Sequence, residues 1–142
     1  MKKIVISMLF ALAALPAFAQ EHYTEGPVWR VTTIRVKPNQ MDAYLTSLRQ
    51  GTKPFFDEEK KQGIIVYYKV FIKSTKASPE DWDIAIAVEY KDFAAMDGET
   101  AKAEGVRDKI LVGNAQARIL GEKRLEMRET VTSELMREVT LK

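Results

Sequence analysis

The stretch from Ile64 to Ser74, IIVYYKVFIKS, constrains the fold more than any other part of this chain. Successive side chains of a strand point to opposite faces of a sheet. Apolar or aromatic residues occupy both faces here: Ile64, Val66, Tyr68, Val70 and Ile72 on one, Ile65, Tyr67 and Phe71 on the other. Because such a strand is normally covered on both sides, the chain must build a sheet with helices on one face and another partner on the other.

The residues before this strand predict a strand, a turn and a helix. Val28–Val36 is rich in β-branched residues, which is typical of a strand, and Lys37-Pro38-Asn39 ends it. A helix is predicted from Gln40, with Asn39 as its N-cap and Asp42 in the place of a capping-box acid. Pro54 predicts an interruption and a restart of the helix, and Gly63 predicts its left-handed end.

The second half predicts a strand, a helix and a closing strand. Trp82–Tyr90 alternates Ile84, Ile86, Val88 and Tyr90 with Asp83, Ala85, Ala87 and Glu89. The small residues of the second set leave room for something bulky opposite. Asp92 predicts a helix start, and Ser133–Lys142 alternates like a strand. The order β-α-β-β-α-β predicts an α+β, ferredoxin-like fold with an antiparallel four-stranded sheet.

The N-terminus has the three parts of a secretory signal peptide. Lys2 and Lys3 precede the apolar run Ile4–Leu15, and Ala17-Phe18-Ala19 is a small-x-small cleavage site. The apolar run is shorter than the roughly 20 residues that a spanning helix needs. We therefore expect residues 1–19 to be removed after Ala19, leaving a periplasmic or secreted protein with no membrane segment.

The remaining chain, residues 20–142, has a length that suits a single domain. Loss of Lys2 and Lys3 leaves 20 basic and 20 acidic side chains. This balance argues against nucleic acid as a partner, since nucleic-acid binding requires a net basic surface. The absence of cysteine excludes disulfides, so the domain must fold on its core alone.

Three segments carry a resemblance to the dimeric α/β-barrel superfamily. VKPNQMDAYL resembles its strand–Pro–turn–helix opening, although Asn39 stands where glycine is frequent. QGIIVYYKVF is similar to its helix–Gly–strand passage, and YKDFAAMDG to the entry of its second helix. The superfamily includes antibiotic-biosynthesis monooxygenases, stress-responsive barrel domains and exported bacterial proteins of unknown function, which the chain resembles most. The resemblance extends from Trp29 to Gly98 and implies a homodimer, sheet against sheet.

Charged residues that interrupt the strands are the candidate ligand-pocket residues. The polar set is Arg30, Lys69, Glu89 and Arg137, with the aromatic neighbours Tyr67 and Phe71. If the strands close a barrel, these side chains meet in an apolar interior with a few polar groups, which is the usual form of a ligand site. The alternative is that the charges mark strand ends, sheet edges or interface ion pairs.

No sequence motif predicts a metal or a cofactor. His22 is the only histidine, lies in the predicted N-terminal arm and has no cysteine to accompany it, whereas zinc and copper sites use several such ligands. Asp57-Glu58-Glu59, followed by Lys60-Lys61, is predicted to be a solvated helical end. No glycine-rich phosphate loop of common spacing is present.

Two classes of function remain open. The first is an exported dimer that binds a small apolar or aromatic ligand or acts as an interaction module. The alternative is a cofactor-independent, monooxygenase-like enzyme that uses the same cavity. Enzymes of that kind in the resembled superfamily use Asn and Trp side chains, but Trp29, Asn39 and Trp82 match no such spacing.

Overall fold

The sheet of this protein has four antiparallel strands in the order β2-β3-β1-β4. A computed structural model describes residues 22–112 and 114–142, so the predicted signal peptide, residues 1–19, lies outside the described residues. The strands are β1 (Tyr23–Val36), β2 (Tyr67–Ile72), β3 (Ile84–Tyr90) and β4 (Arg128–Leu141). The helices are α1 (Met41–Ser47), α2 (Lys53–Lys61), α3 (Glu99–Leu111) and α4 (Ala115–Glu126). The predicted ferredoxin-like α+β fold is confirmed.

The first and the last strand, β1 and β4, are both longer than predicted. The chain from Tyr23 to Pro27, predicted as an arm, is the beginning of β1, and Tyr23 pairs with Leu141. A register shift between Glu25 and Val28 accommodates Pro27, which has no N–H to donate to the ladder. β4 likewise begins at Arg128, ahead of the predicted start, because β1 offers it partners along its whole length.

The predicted restart at Pro54 is confirmed, but no break precedes it, which corrects the predicted interruption. α1 continues through a π-helical segment, Leu48–Thr52, directly into α2, and Pro54 lies in the first turn of α2. Proline is tolerated in a first turn, and π-helical turns place extra backbone at such junctions. The helical region therefore covers the sheet without a break.

The turn into α1 also differs from the prediction. Asn39 has a φ of 62° and makes no capping hydrogen bond; Gln40 is the N-cap of α1 and makes none through its side chain either. Asn tolerates this left-handed conformation better than most residues, which accounts for its presence at a turn. The signal of Gly63 is confirmed, because Gly63 has a φ of 71°. Asp92 accepts a hydrogen bond from Ala95 N at 2.8 Å, but the turn that it caps is a short 3₁₀ helix, Ala94–Met96, and α3 begins only at Glu99.

The core lies on the helical side of the sheet in two clusters. One surrounds Ile34, Tyr44 and Ile84, and the other contains Val88 and Val106. Ile64 and Ile65 belong to the second cluster, but they precede β2, so this strand is shorter than predicted. Among the described residues, no helix is long and apolar enough to cross a bilayer.

The opposite side of the sheet, which we call the outer face, carries no helix. It is formed by alternate residues of the four strands: Trp29, Val31, Tyr67, Lys69, Phe71, Ala85, Ala87, Glu89 and Met136. The alanines are almost fully buried between taller neighbours, whereas Tyr67, Phe71 and Met136 are 44–49% exposed. The outer face also carries Thr33 and Glu134, so it is a mixed surface with exposed apolar side chains around a shallow centre.

Candidate functional site

A cavity of about 660 Å³ lies between the sheet and the helices of the single domain. Its floor is formed by alternate residues of the two central strands, Arg30, Thr32 and Ile34 of β1 and Ile86, Val88 and Tyr90 of β3. The helices contribute the apolar walls: Leu48, Phe55, Phe56, Ile110, Leu111 and Leu125. Polar side chains enter this apolar space at two positions, which differ in how fully they are paired.

The first polar group is a closed network on the floor. Arg30 forms a bidentate ion pair with Glu99, both N–O distances being 2.6 Å, and Arg30 Nη1 donates to Tyr90 Oη at 3.1 Å. The hydroxyl of Tyr90 donates in turn to Glu99 Oε1. Burial alone would raise the pKa of Glu99, but the hydrogen bonds from Arg30 and Tyr90 outweigh it and hold that pKa below its ordinary value. Glu99 is therefore a fixed anion at neutral pH.

Glu59 reaches the cavity from α2 and is only 3% exposed. Burial raises the pKa of its carboxyl to about 7, and the negative charge of Glu99 acts in the same direction. The positive charges of Arg30 and Arg107 oppose this rise. No described residue donates a hydrogen bond to the carboxyl of Glu59. It is thus a group that gains or loses its proton near neutral pH inside an apolar space.

The second polar group lies where α4 meets β4. Tyr44 is fully buried, and its hydroxyl makes no hydrogen bond of ordinary geometry in the described part of the chain. Burial raises the pKa of Tyr44, and the charges of Arg128 and Arg124 oppose this rise, as does a weak hydrogen-bond contact from Arg128. Arg124 donates to Thr52 Oγ1. Burial lowers the pKa of Arg124, and the charges of Arg128 and Arg107 lower it further, so three guanidinium groups influence one another across this part of the cavity.

The structure divides the six predicted pocket residues among three places. Arg30 lines the cavity, whereas Lys69, Glu89, Tyr67 and Phe71 lie on the outer face, because their alternation places them opposite the helices. Lys69 lies over the ring of Trp29, 5.4 Å from its centroid.

Arg137 lies outside the cavity as well. It is on β4 beside Glu25, with which it forms an ion pair, and its guanidinium lies 4.8 Å from the ring centre of Phe93. These contacts correspond to the alternative interpretation of a sheet-edge ion pair. The six residues therefore do not converge on one site within a single chain.

The acidic run on α2 is not wholly a solvated helical end, which corrects the prediction. Asp57 pairs with Lys53 at 2.5 Å and Glu58 with Lys109 at 2.6 Å, both at the surface, but Glu59 is buried. Glu59 lies four residues after Phe55 and three after Phe56, so helical spacing places it on their apolar side. That spacing is the signal in the sequence that distinguishes Glu59 from its acidic neighbours.

The arginines and Tyr44 gave no sequence signal, because they come together from α1, α3, α4 and β4. His22 is exposed and its carbonyl oxygen accepts a hydrogen bond from Lys142 N. Across residues 22–112 and 114–142, no three His, Asp or Glu side chains are grouped so that they could hold a metal ion.

The fold and the cavity define a ferredoxin-like α+β domain with a ligand-sized cavity that is partly open to solvent. No protein-family model matches the chain, and no curated protein matches it either. Its structure is similar to the crystal structure of HapK from Hahella chejuensis, at a TM-score of 0.51 and 15% identity, covering 78% of this chain and 91% of HapK. It is also similar to a dimeric ferredoxin-like protein from an uncultured marine organism, at a TM-score of 0.50 and 14% identity. That similarity covers 83% of this chain and 90% of the marine protein. These likenesses support the fold.

Proposed function

We propose that this protein binds a small, mainly apolar or aromatic molecule in the cavity between the sheet and the helices. The observation that carries the proposal is the cavity itself, about 660 Å³ in volume and walled by Leu48, Phe55, Phe56 and Ile110. Ligand sites are concave, mostly apolar spaces of a few hundred Å³ with a small number of placed polar groups. Arg30, Glu59 and Tyr44 are such groups.

Binding is tested with N-phenyl-1-naphthylamine, a neutral aromatic probe whose fluorescence rises in an apolar site. The wild-type protein should bind it with a dissociation constant on the order of 10 µM. Ile86→Trp, which places a large ring on the cavity floor, should weaken binding at least tenfold while keeping the wild-type circular dichroism. Absence of saturable binding, or equal binding by Ile86→Trp, would contradict a cavity ligand and favour a pure interaction role.

We also propose that the protein is an exported homodimer whose two sheets meet through their outer faces. Tyr67, Phe71 and Met136 stand exposed on this face while Ala85 and Ala87 form a low centre, so a bulky residue of one copy can enter above the alanines of another. Exposed apolar surface of this kind marks an interaction site. The similar protein from an uncultured marine organism is dimeric, which supports the same assembly here. Export rests on the sequence of residues 1–19 alone.

Replacing Phe71 with aspartate should convert the dimer into a folded monomer, because it places an unpaired carboxylate in the proposed interface. Ile72→Asp is the matched control: Ile72 is its neighbour on β2, is 56% exposed and points to the opposite side of the sheet. Native mass spectrometry of the exported protein tests both the export and the dimer, since the wild type should be a dimer of chains that begin at Gln20. A monomeric wild type, or dissociation by both variants alike, would contradict the outer-face dimer.

An enzyme is the second candidate, and Glu59 favours it. A buried carboxyl with a pKa of about 7 can take a proton from a bound substrate at neutral pH and return it. Arg30 lies in the same part of the cavity, and its guanidinium has N–H groups beyond those bonded to Glu99 and Tyr90 that can donate to an oxygen of the substrate. Asn39, Trp29 and Trp82 do not line the cavity, so chemistry there would depend on the carboxyl and not on these side chains.

A further inference from the structure

Two partly buried arginines of the cavity have no acidic partner. Arg124 and Arg128 form no ion pair with any described residue, whereas Arg30, on the cavity floor, pairs with Glu99; Arg107 also lines the cavity but is exposed to solvent. Charges inside a protein are normally paired, because desolvating a charge without compensation is costly.

The cavity is therefore net positive at its α4–β4 end. Glu59 and Glu99 lie at the other end, where Glu99 is already neutralised by Arg30. Arg118 and Glu122 also line the cavity, but both are exposed on α4 and offset one another. The charge of Glu59 acts on Arg107, but no described acid forms an ion pair with Arg124 or Arg128.

The hydroxyl of Tyr44 is a further polar group at this end of the cavity. Tyr44 lines the cavity and is 0% exposed, and its hydroxyl makes no hydrogen bond of ordinary geometry with any described residue, although the guanidinium of Arg128 lies near enough to act on its pKa. Buried polar atoms nearly always have a hydrogen-bond partner, since an unpaired one costs about 1–3 kcal/mol. Arg124 is held in place by its hydrogen bond to Thr52 Oγ1.

We infer that the cavity ligand is an organic anion, an apolar or aromatic molecule with a single carboxylate or similar acidic group, which binds between Arg124 and Arg128 with Tyr44 as a hydrogen-bond donor. This inference rests on the proposed function and specifies its ligand class. The apolar walls hold the body of the ligand and the arginines hold its charge, because guanidinium groups match the geometry of a carboxylate. Arg107 contributes charge from α3.

The test compares two probes with the same aromatic skeleton. 1-Anilinonaphthalene-8-sulfonate carries one negative charge, and N-phenyl-1-naphthylamine carries none. The wild-type protein should bind the anionic probe at least tenfold more tightly than the neutral one, and 0.5 M NaCl should reduce that advantage. Ile86→Trp should weaken both, which assigns binding to the cavity and not to the outer face.

Arg124→Met and Arg128→Met should each weaken binding of the anionic probe about tenfold and change binding of the neutral probe by less than twofold. Tyr44→Phe should weaken binding of the anionic probe several-fold. Arg49→Met, an exposed position in the π-helical segment, is the control and should change neither. If both probes bind with equal affinity, this inference is wrong and the proposed function stands. If neither binds, both are wrong. The wild-type comparison decides the matter even where a variant fails to fold.

Discussion

Replacing Arg30 with methionine should lower the free energy of unfolding by about 2 kcal/mol. Its guanidinium makes two 2.6 Å bonds to Glu99 and one of 3.1 Å to Tyr90. Without it, Glu99 remains a partly buried carboxylate with only the Tyr90 hydroxyl as donor. Breaking a fully buried pair costs more, but Arg30 is 34% exposed, so solvent reduces the loss.

Urea unfolding at pH 7 measures this loss, with Arg35→Met as the matched control. Arg35 lies on the same strand, is 29% exposed, and pairs with Glu80 and Glu129, both well exposed. We expect less than about 1 kcal/mol there, as for ordinary surface pairs. Equal losses for the two variants would contradict the special role of the Arg30–Glu99–Tyr90 network. Adding Glu99→Leu to Arg30→Met should recover part of the loss, since the stranded charge is removed.

Replacing Glu59 with glutamine should remove a pH dependence of stability that the wild type shows between about pH 4.5 and 8. Its pKa is raised to about 7 from an ordinary 4.5, so the folded protein holds a proton that the unfolded chain releases. The stabilisation is complete below pH 4.5 and is lost as the pH rises through 7. A rise of this size corresponds to roughly 2–3 kcal/mol.

Glu59→Gln and the wild type should therefore be about equally stable at pH 5, and the variant should be more stable at pH 8. The charged groups that face Glu59 are Glu99, Arg30 and Arg107, and Glu99 keeps its charge over this range. Glu104→Gln, on the exposed side of α3, is the control and should follow the wild type at every pH. Parallel curves for wild type and Glu59→Gln would show that the carboxyl titrates normally.

The same variant separates the two candidate functions. If the protein is a monooxygenase-like enzyme, an electron-rich hydroquinone should be consumed with uptake of oxygen, at a rate that rises with pH through about 7. Glu59→Gln should then lose the activity while still binding the neutral probe. A binding protein should show saturable probe binding and no oxygen uptake in either form.

Local signals in the sequence predict the order of the elements well and their ends less well. Gly63 and Asp92 act within one turn of chain, and both do what their residue types predict. Pro54 misleads, because its effect depends on whether the preceding turn can widen, which the packing of the helical region on the sheet decides. The first strand is longer than its own residues indicate because β4 pairs with it along its whole length. The two strands lie more than 90 residues apart in the sequence, so no local pattern shows this pairing.

Most residues of the candidate site cannot be predicted from the sequence. Arg30 is identifiable because a charge in an apolar strand is visible in the alternation itself. Glu59 is predictable from its spacing to Phe55 and Phe56, yet the acidic residues beside it hide that signal. Tyr44 and Arg124 have ordinary surroundings along the chain and become unusual only when α4 and β4 close over α1.

The residue pattern alone is enough to predict the α+β class, the β-α-β-β-α-β order and the apolar character of both faces of the second strand. These follow from alternation and turn residues, which act between near neighbours and need no tertiary context. The pairing of charges, in contrast, is visible only in the folded chain. Arg30 and Arg124 are the same residue type at the edge of the same cavity, but one meets Glu99 and the other meets no acid among the described residues, because pairing depends on distances between segments that the chain brings together only when it folds.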